Sequence, residues 1–221
     1  LYQFEYDEKL KTEVDVQTKK AADRLLRVQQ MSTQMVETLA NAIDAKDKYT
    51  NSHSFRVSEY SVAIVKAMGW KDEDIETLRF EAMLHDVGKI GVPDIVLNKP
   101  GRLTDNEFVV IQSHTTIGGD ILVNTTTMPG AEEVARHHHE RYDGFGYPGK
   151  LKGDEIPLHA RIVAIADAFD AMHSDRIYRK RLSREMIRQE LIKGRGTQFD
   201  PEILDIFLKL YDSHQILSKD A

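Results

Sequence analysis

The chain has 221 residues, of which 41% are hydrophobic and 30% charged, and its formal net charge at pH 7 is -6. This length suits one domain with a sizeable core, and the composition is that of a folded protein rather than a disordered one. Because the acidic residues are scattered, we expect no broad basic face that could follow a long nucleic acid. The sequence contains no Cys, so a metal site in this chain must use His and carboxylate ligands.

The sequence has neither a run of about 18 apolar residues nor a signal-peptide pattern, so we expect no direct insertion into a membrane. The absence of Cys also fits a reducing compartment, and together these features favour a cytoplasmic location. The chain begins at Leu1 instead of Met. We therefore expect it to be a piece of a longer protein, such as the cytoplasmic part of a sensor.

The first 45 residues predict one long helix, because residues 5–45 contain neither Gly nor Pro. One apolar position recurs every seven residues: Val14, Ala21, Val28, Met35 and Ala42. The second apolar position of a coiled-coil repeat is weak, since it includes Gln17 and Arg24. Two hypotheses stay open for residues 1–40: a helix that packs on its own domain, and a signalling helix that pairs two chains as a homodimer. Residues 41–221 form the predicted globular domain.

From residue 50 onward, apolar residues recur at helical spacing and alternating strand patterns are scarce. Thr104 and Glu107 predict a capping box that opens a helix reaching about residue 123, and Asp200 with Pro201 predicts the start of the last helix. Loops are expected at residues 91–103, 124–130 and 143–158, which are rich in proline. The prediction is an all-α fold, a helical bundle preceded by a long N-terminal helix.

Several His and Asp residues stand among apolar neighbours, where burial of a polar side chain is costly unless a partner satisfies it. They are His53, His85, Asp86, His114 and Asp167. Each one alone is also explained as a hydrogen-bonded residue of the core. As a set they predict a cluster of nitrogen and oxygen ligands, which suits Fe, Mn, Zn or Ni. The cluster exceeds the needs of one tetrahedral ion, and two ions bridged by a carboxylate would use it better.

The stretch "RHHHERYDGFGYP" at residues 136–148 adds three consecutive histidines. Successive residues of a helix rotate by about 100°, so three in a row cannot all face one centre. At most one adjacent pair of these histidines is therefore expected to bind a metal.

These motifs resemble those of the HD-GYP family, a bacterial group of HD-domain metal phosphohydrolases. The resemblance covers roughly residues 41–210. It is carried by "DAKDKYTNSHSFRV", "MLHDVGKIGVPDIVLNKPGRLT", "HTTIGGDIL", "HHHERYDGFGYPGKLKGDEIPLHARIVAIADAFDAMHSDRIYRK" and "GTQFDP". The resemblance implies an all-helical domain that hydrolyses cyclic di-GMP, a bacterial second messenger, with two or three metal ions.

Matching the motifs one by one implies two sets of metal ligands that share Asp86. One ion takes His53, His85, Asp86 and Asp167, and the other takes Asp86, His114, His138 and His139. His137 is left out, as a structural or exposed neighbour of the site. The expected cofactors are two divalent transition-metal ions, Fe or Mn in the first place, with Zn, Ni or Co as alternatives.

The resemblance also implies roles in substrate binding. Lys89 matches a lysine that contacts the scissile phosphate, where its charge would stabilise the transition state. Arg176 and Arg179 match residues that hold the phosphates of the substrate, with solvated surface arginines as the alternative. Tyr147 matches a residue that lies against a guanine base, and a purely structural tyrosine is the alternative.

The chain departs from the family pattern at Tyr49, where members with three metals have a Glu four residues before the first ligand histidine. We therefore expect two ions rather than three. Glu81 stands one turn before His85 but matches no family ligand. It is interpreted here as an ordinary helix charge.

The predicted reaction opens cyclic di-GMP to linear pGpG, with a second hydrolysis to GMP as an option, and uses a water nucleophile activated by the metal ions. Two alternatives are kept. The first is a module that binds cyclic di-GMP, or binds a signalling protein through the exposed GYP loop around Gly146, Tyr147 and Pro148, with little turnover. The second is an HD phosphohydrolase that acts on another cyclic dinucleotide.

Overall fold

A computed structural model describes residues 2–47, 52–174 and 181–216 of the chain. The described residues form nine α-helices: α1 Tyr2–Lys46, α2 His53–Ala67, α3 Asp72–Met83, α4 Asp94–Leu97, α5 Asp105–Leu122, α6 Ala131–His137, α7 Leu158–His173, α8 Arg184–Lys193 and α9 Pro201–Asp212. Two short 3₁₀ helices follow α3 and α6, at Val87–Gly91 and Gly153–Glu155. In this part of the chain the only extended pairing is an isolated bridge between Arg195 and Phe199. The predicted all-α fold is confirmed.

The chain divides into two compact units, Leu1–Thr38 and Leu39–Ala221. The first unit consists of the N-terminal part of α1, which confirms the predicted long helix. Its side chains at Val14, Val28 and Met35 are more than half exposed, at 55%, 54% and 62%. The seven-residue apolar stripe is therefore not covered within this unit. That a second chain covers this stripe stays a prediction.

The core of the second unit is built around α7, whose residues from Ala160 to Phe169 are mostly buried. The ring of Phe169 contacts Tyr60 of α2 at 4.8 Å between centroids, and Phe207 and Tyr211 of α9 at 5.1 and 5.5 Å. Burial of one such side chain contributes about 1.5–3 kcal/mol. These contacts hold α2, α7 and α9 together. The first two of these helices carry predicted site residues.

Two predicted helix starts are confirmed. The side-chain oxygen of Thr104 accepts a hydrogen bond from the backbone N–H of Glu107, and the Glu107 carboxylate accepts one from the backbone N–H of Thr104. Asp200 accepts hydrogen bonds from the backbone N–H groups of Glu202 and Ile203 at the start of α9. Such caps satisfy amide groups that lack a partner inside the helix. The first cap begins α5, the helix on which His114 lies.

The predicted loops are partly regular. The segment 91–103 contains the single turn of α4, and the segment 143–158 contains the second 3₁₀ helix. None of the helices in the described part of the chain combines the length and the apolar character needed to cross a bilayer.

Candidate metal centre

Asp86 lies at the end of a turn that joins α3, which ends at Met83, to the 3₁₀ helix Val87–Gly91. The 3₁₀ helix packs closely on α5 at Gly88. A Cβ atom built on Gly88 would stand 1.8 Å from the backbone oxygen of His114. Only glycine permits this approach. The backbone contact therefore brings Gly88, two residues after Asp86, directly against the turn of α5 that carries His114.

The two carboxylate oxygens of Asp86 face different sets of histidines. Its Oδ2 lies 3.4 Å from Nε2 of His85 and 3.7 Å from Nε2 of His53. Its Oδ1 lies 3.4 Å from Nε2 of His114 and 3.8 Å from Nε2 of His138. A carboxylate placed in this way can bridge two cations.

Around Asp86 the side chains form two groups, each with ligand atoms within 4.8 Å of one another. One group contains His53, His85 and Asp86, and the other contains His114, His138 and His139. Asp167 adjoins the first group, because its Oδ1 lies 3.4 Å from Nε2 of His53. The structure thus brings together all seven residues that the sequence predicts as ligands, while their role as ligands stays a prediction.

Three of the histidines are oriented by backbone carbonyl groups. Nδ1 of His85 lies 2.7 Å from the oxygen of Ala82, and Nδ1 of His114 lies 2.7 Å from the oxygen of Ile111. Nδ1 of His138 lies 3.0 Å from the oxygen of Val134. Because a carbonyl can only accept, each Nδ1 must donate, and the lone pair of the neutral ring is on Nε2. All three Nε2 atoms point toward Asp86.

His53 is oriented instead by Asp170, a residue that the sequence analysis missed. Nδ1 of His53 lies 2.7 Å from Oδ2 of Asp170, and Nε of Arg56 donates to Oδ1 of the same carboxylate at 2.6 Å. A carboxylate behind a histidine in this way fixes its ring and strengthens it as a metal ligand. The sequence does contain a signal for Asp170. It lies three residues after Asp167, and residues with this spacing are neighbours on the surface of a helix.

The donor set fits divalent metal ions. Nε2 of His85 is buried and has no hydrogen-bond partner. Nε2 of His114 and Nε2 of His138 lie 3.3 Å apart. With Nδ1 of both rings donating to carbonyls, these two neutral rings present lone pairs to each other, which is favourable only when a cation or a proton lies between them. A buried nitrogen without a partner and facing lone pairs are both satisfied by ligation.

The electrostatics of the centre favour the same chemistry. Burial lowers the pKa of His138 well below its usual value and that of His139 to about 4, so both rings are neutral at pH 7. Burial opposes ionisation of Asp86, but Lys89 and His85 outweigh it and hold the pKa of this carboxyl well below its usual range. Burial would lower the pKa of His53, yet Asp167 and Asp170 raise it to about 10. A metal ion at His53 would therefore have to displace a proton.

Lys89 lies at the edge of the first group, with Nζ 2.7 Å from Oδ2 of Asp86. The same ammonium group donates to Oδ2 of Asp47 at 2.7 Å. Asp47 is a second residue that the sequence analysis missed. Its partner is 42 residues away, so no local pattern marks the pair.

The GYP loop lies next to the second group. The ring of Tyr147 is half-buried, with its centroid 5.0 Å from that of His139 and 6.3 Å from that of Phe108 on α5. The buried carboxylate of Glu140 accepts hydrogen bonds from the backbone N–H groups of Gly149 at 2.5 Å and Leu151 at 3.1 Å. This side chain therefore fixes the segment that follows Tyr147.

The other residues named in the sequence analysis lie outside the two groups of clustered ligands or outside the described part of the chain. His137 belongs to neither group of clustered ligands, and its Nδ1 lies 3.6 Å from Oε1 of Glu140. Arg176, Arg179 and Tyr49 lie outside the described residues, so their roles stay predictions. The interpretation of Glu81 as an ordinary helix charge is wrong. Its side chain is fully buried and bonded to two other elements, because it lies on the inner face of α3 next to Leu78 and Ala82.

The sequence of the chain is similar to those of known proteins. Residues 37–203 match the family model described as HD domain. The chain is 37% identical over 190 residues to a 3'3'-cGAMP-specific phosphodiesterase 2 of Vibrio cholerae, an alignment that covers 85% of this chain and 36% of the relative. It is 38% identical over 212 residues to a cyclic di-GMP phosphodiesterase of Thermotoga maritima, covering 95% of this chain and 58% of the relative. The chain thus spans only part of the length of these relatives.

The fold is shared with a solved structure. A cyclic GMP-AMP specific phosphodiesterase of V. cholerae superposes with a TM-score of 0.64 at 20% sequence identity, over 83% of this chain and 49% of that chain. At this level of identity the similarity concerns the arrangement of the helices.

Proposed function

This chain belongs to the HD domain family, and we propose that it is a metal-dependent phosphodiesterase that hydrolyses cyclic di-GMP. The observation that carries the proposal is the position of Asp86, with one carboxylate oxygen toward His53 and His85 and the other toward His114 and His138. This arrangement supports a centre of two bridged ions, as used in the hydrolysis of phosphate esters.

We assign four ligands to each ion. The first ion would be held by His53, His85, Asp86 and Asp167, and the second by Asp86, His114, His138 and His139. Four protein ligands leave room for water and substrate on an ion of higher coordination number, which favours Fe or Mn over tetrahedral Zn. When bound, the ions supply Lewis acidity, which activates water and offsets negative charge on the phosphoryl oxygens.

The chain's own residues position the substrate. The ammonium group of Lys89 lies beside Asp86, where it can hold a nonbridging oxygen of the scissile phosphate. The ring of Tyr147 lies beside His139, so a guanine stacked on Tyr147 would remain next to the centre. Arg176 and Arg179 are assigned to the phosphates of the substrate, as planar guanidinium groups suit phosphate oxygens.

The proposed reaction adds water to one phosphorus atom of the cyclic dinucleotide. The bond from phosphorus to the 3′ oxygen breaks, the 3′ oxygen takes a proton, and the product is linear pGpG. A second hydrolysis of the same kind would yield GMP.

A second candidate substrate is 3′3′-cGAMP. The relative named for this substrate is 37% identical to the chain, and the relative named for cyclic di-GMP is 38% identical. Both substrates contain guanine, so a stacking residue at Tyr147 does not distinguish them. The ratio of kcat/KM for the two substrates decides between them.

We also propose how the chain is used in signalling. Residues 1–40 would act as a signalling helix that pairs two chains through the exposed stripe containing Val14, Val28 and Met35, and residues 41–221 would be the catalytic domain. Phe145 in the GYP loop is 84% exposed, which supports this loop as a contact for a signalling partner. A cytoplasmic location fits a substrate that is an internal messenger.

The test is purification under anaerobic conditions, quantification of bound metals, and product analysis with cyclic di-GMP. We expect about two Fe or Mn ions per chain and formation of pGpG. Tight binding of cyclic di-GMP by a metal-loaded sample without any pGpG in a single-turnover assay would overturn the enzyme proposal in favour of a receptor.

A further inference from the structure

Glu81 is a fully buried carboxylate on α3 that belongs to neither group of candidate metal ligands. A carboxylate is transferred out of water only at a high cost unless hydrogen bonds or a charge compensate it. Its partners therefore indicate what the side chain does.

The two oxygens of Glu81 bind two different elements. Oε1 accepts a hydrogen bond from the backbone N–H of Gly130 at 2.9 Å, and Oε2 lies 2.5 Å from Nδ1 of His159. Gly130 is the residue directly before α6, and His159 is the second residue of α7. One side chain thus joins the start of α6 and the start of α7 to α3.

Each of the three connected helices leads to candidate metal ligands. His85 and Asp86 follow Glu81 within five residues, at the end of α3. His138 lies eight residues after Gly130, and Asp167 lies eight residues after His159. At 1.5 Å per helical residue, eight residues span about 12 Å. The contacts of Glu81 therefore fix the far ends of two short, stiff segments whose other ends meet at the metal centre.

The contact with Gly130 is built into the backbone. A Cβ atom built on Gly130 would stand 2.6 Å from Oε1 of Glu81, so any larger residue would displace the carboxylate. On the other side, the ring of Trp70 contacts the ring of His159, with 5.2 Å between the two centroids. The position of Glu81 is thus constrained from both sides.

We propose that Glu81 is a positioning residue of the metal centre, which holds the starts of α6 and α7 on α3 and thereby sets how His138, His139 and Asp167 approach Asp86. The inference rests on the proposed function, because it concerns the affinity of the chain for metal ions.

The test compares Glu81→Ala with Glu81→Gln and with Glu73→Gln, a control on an exposed face of the same helix. Mn²⁺ binding to chelator-treated protein is measured by calorimetry, and folding by circular dichroism and thermal melting. We expect Glu81→Ala to weaken Mn²⁺ binding at least about tenfold in folded protein. Glu81→Gln should recover most of the affinity, because its amide oxygen can accept from Gly130 and its NH₂ group can donate to His159. Glu73→Gln should bind like the wild type.

Gly130→Ala provides a second route if Glu81→Ala does not fold. It keeps the carboxylate but displaces it, so we expect a similar loss of Mn²⁺ affinity. Where Glu81→Ala folds, combining it with Gly130→Ala should cost less than the sum of the two single changes, since both act on one contact. A folded Glu81→Ala or Gly130→Ala variant that binds two Mn²⁺ ions with wild-type affinity would overturn the inference about Glu81 but not the proposed function. If the wild type itself binds no Mn²⁺, both the proposed function and the inference about Glu81 are overturned.

Discussion

Asp47 and Lys89 form a partly buried ion pair, in which Oδ2 of Asp47 lies 2.7 Å from Nζ of Lys89. The same ammonium group lies 2.7 Å from Oδ2 of Asp86, so one cation is shared by two carboxylates. Burial would lower the pKa of Lys89, but Asp86 and Asp47 raise it above its usual value. Lys89 is therefore held charged and fixed in direction. Asp47 immediately follows α1, which connects the end of the long helix to the residue proposed to bind the phosphate.

Replacing Asp47 by Ala should leave both metal ions in place and lower kcat by about tenfold to a hundredfold, because Lys89 loses the partner that orients it. The measurement is kcat and KM on cyclic di-GMP together with metal content. Asp94→Ala is the matched control, since Asp94 pairs with Lys46 at the surface and its side chain is 76% exposed. A variant of Asp47 that loses metal in proportion to its activity would show that Asp47 supports the ions rather than Lys89.

Variants of the three consecutive histidines test which of them bind metal. His138→Ala should remove metal and abolish turnover, because Nε2 of His138 lies among the ligand atoms of the second group. His137→Ala should leave the metal content nearly unchanged, because His137 belongs to neither group. The measurement is the metal content of these two purified proteins and of His139→Ala. If His137→Ala loses an ion and His139→Ala does not, the assignment of the adjacent pair is wrong.

The sequence predicts the centre well where a polar residue interrupts a local apolar pattern. His53 and His114 stand on the apolar stripes of α2 and α5, and Asp167 stands among the buried apolar residues of α7, so burial follows from helical spacing alone. The motif resemblance then adds His138 and His139, whose place after the end of α6 follows no periodicity.

The residues that the sequence does not reveal are those that act through distant partners. Glu81 pairs with a histidine 78 residues away, and Asp47 with a lysine 42 residues away. In the sequence Asp47 stands in a charged segment that is typical of a solvated surface, whereas Glu81 stands between Phe80 and Ala82. Only the packing of α3 on α6, and of the first 3₁₀ helix beside the end of α1, makes them internal. A single sequence contains no signal for such pairings.

The cap of α5 gives a prediction about pH. The hydrogen bonds from Lys99, and from the backbone and side chain of Thr104, lower the pKa of Glu107 from 4.5 to about 2. Because the folded-state pKa is depressed, the charged carboxylate stabilises the fold fully above pH 4.5, and this contribution is lost as the pH falls toward 2. Glu107→Gln should therefore lower the melting temperature at pH 7 by more than at pH 3. Thermal melts of both proteins across this range test it, and an equal difference at both pH values contradicts it.

Glu140 supports the GYP loop, and its removal should affect substrate binding more than metal binding. Its carboxylate is the acceptor for the backbone N–H groups of Gly149 and Leu151. Each hydrogen bond to a charged group contributes about 1.5–3 kcal/mol, so Glu140→Ala frees the segment that follows Tyr147 at a substantial cost. We expect KM for cyclic di-GMP to rise about tenfold, which corresponds to about 1.4 kcal/mol of lost binding, with both ions retained.

The role of Glu140 in holding Tyr147 is tested by comparing substrate binding in Glu140→Ala, in Tyr147→Ala and in the double variant. If Glu140 acts by holding Tyr147 in place, removal of Tyr147 leaves little for Glu140 to support, and the double variant should bind the substrate about as weakly as Tyr147→Ala alone. Because Glu140 directly follows His139, metal content must be measured in all three proteins. Additive losses, or a loss of metal in Glu140→Ala, would place the effect of Glu140 at the metal centre instead of the loop.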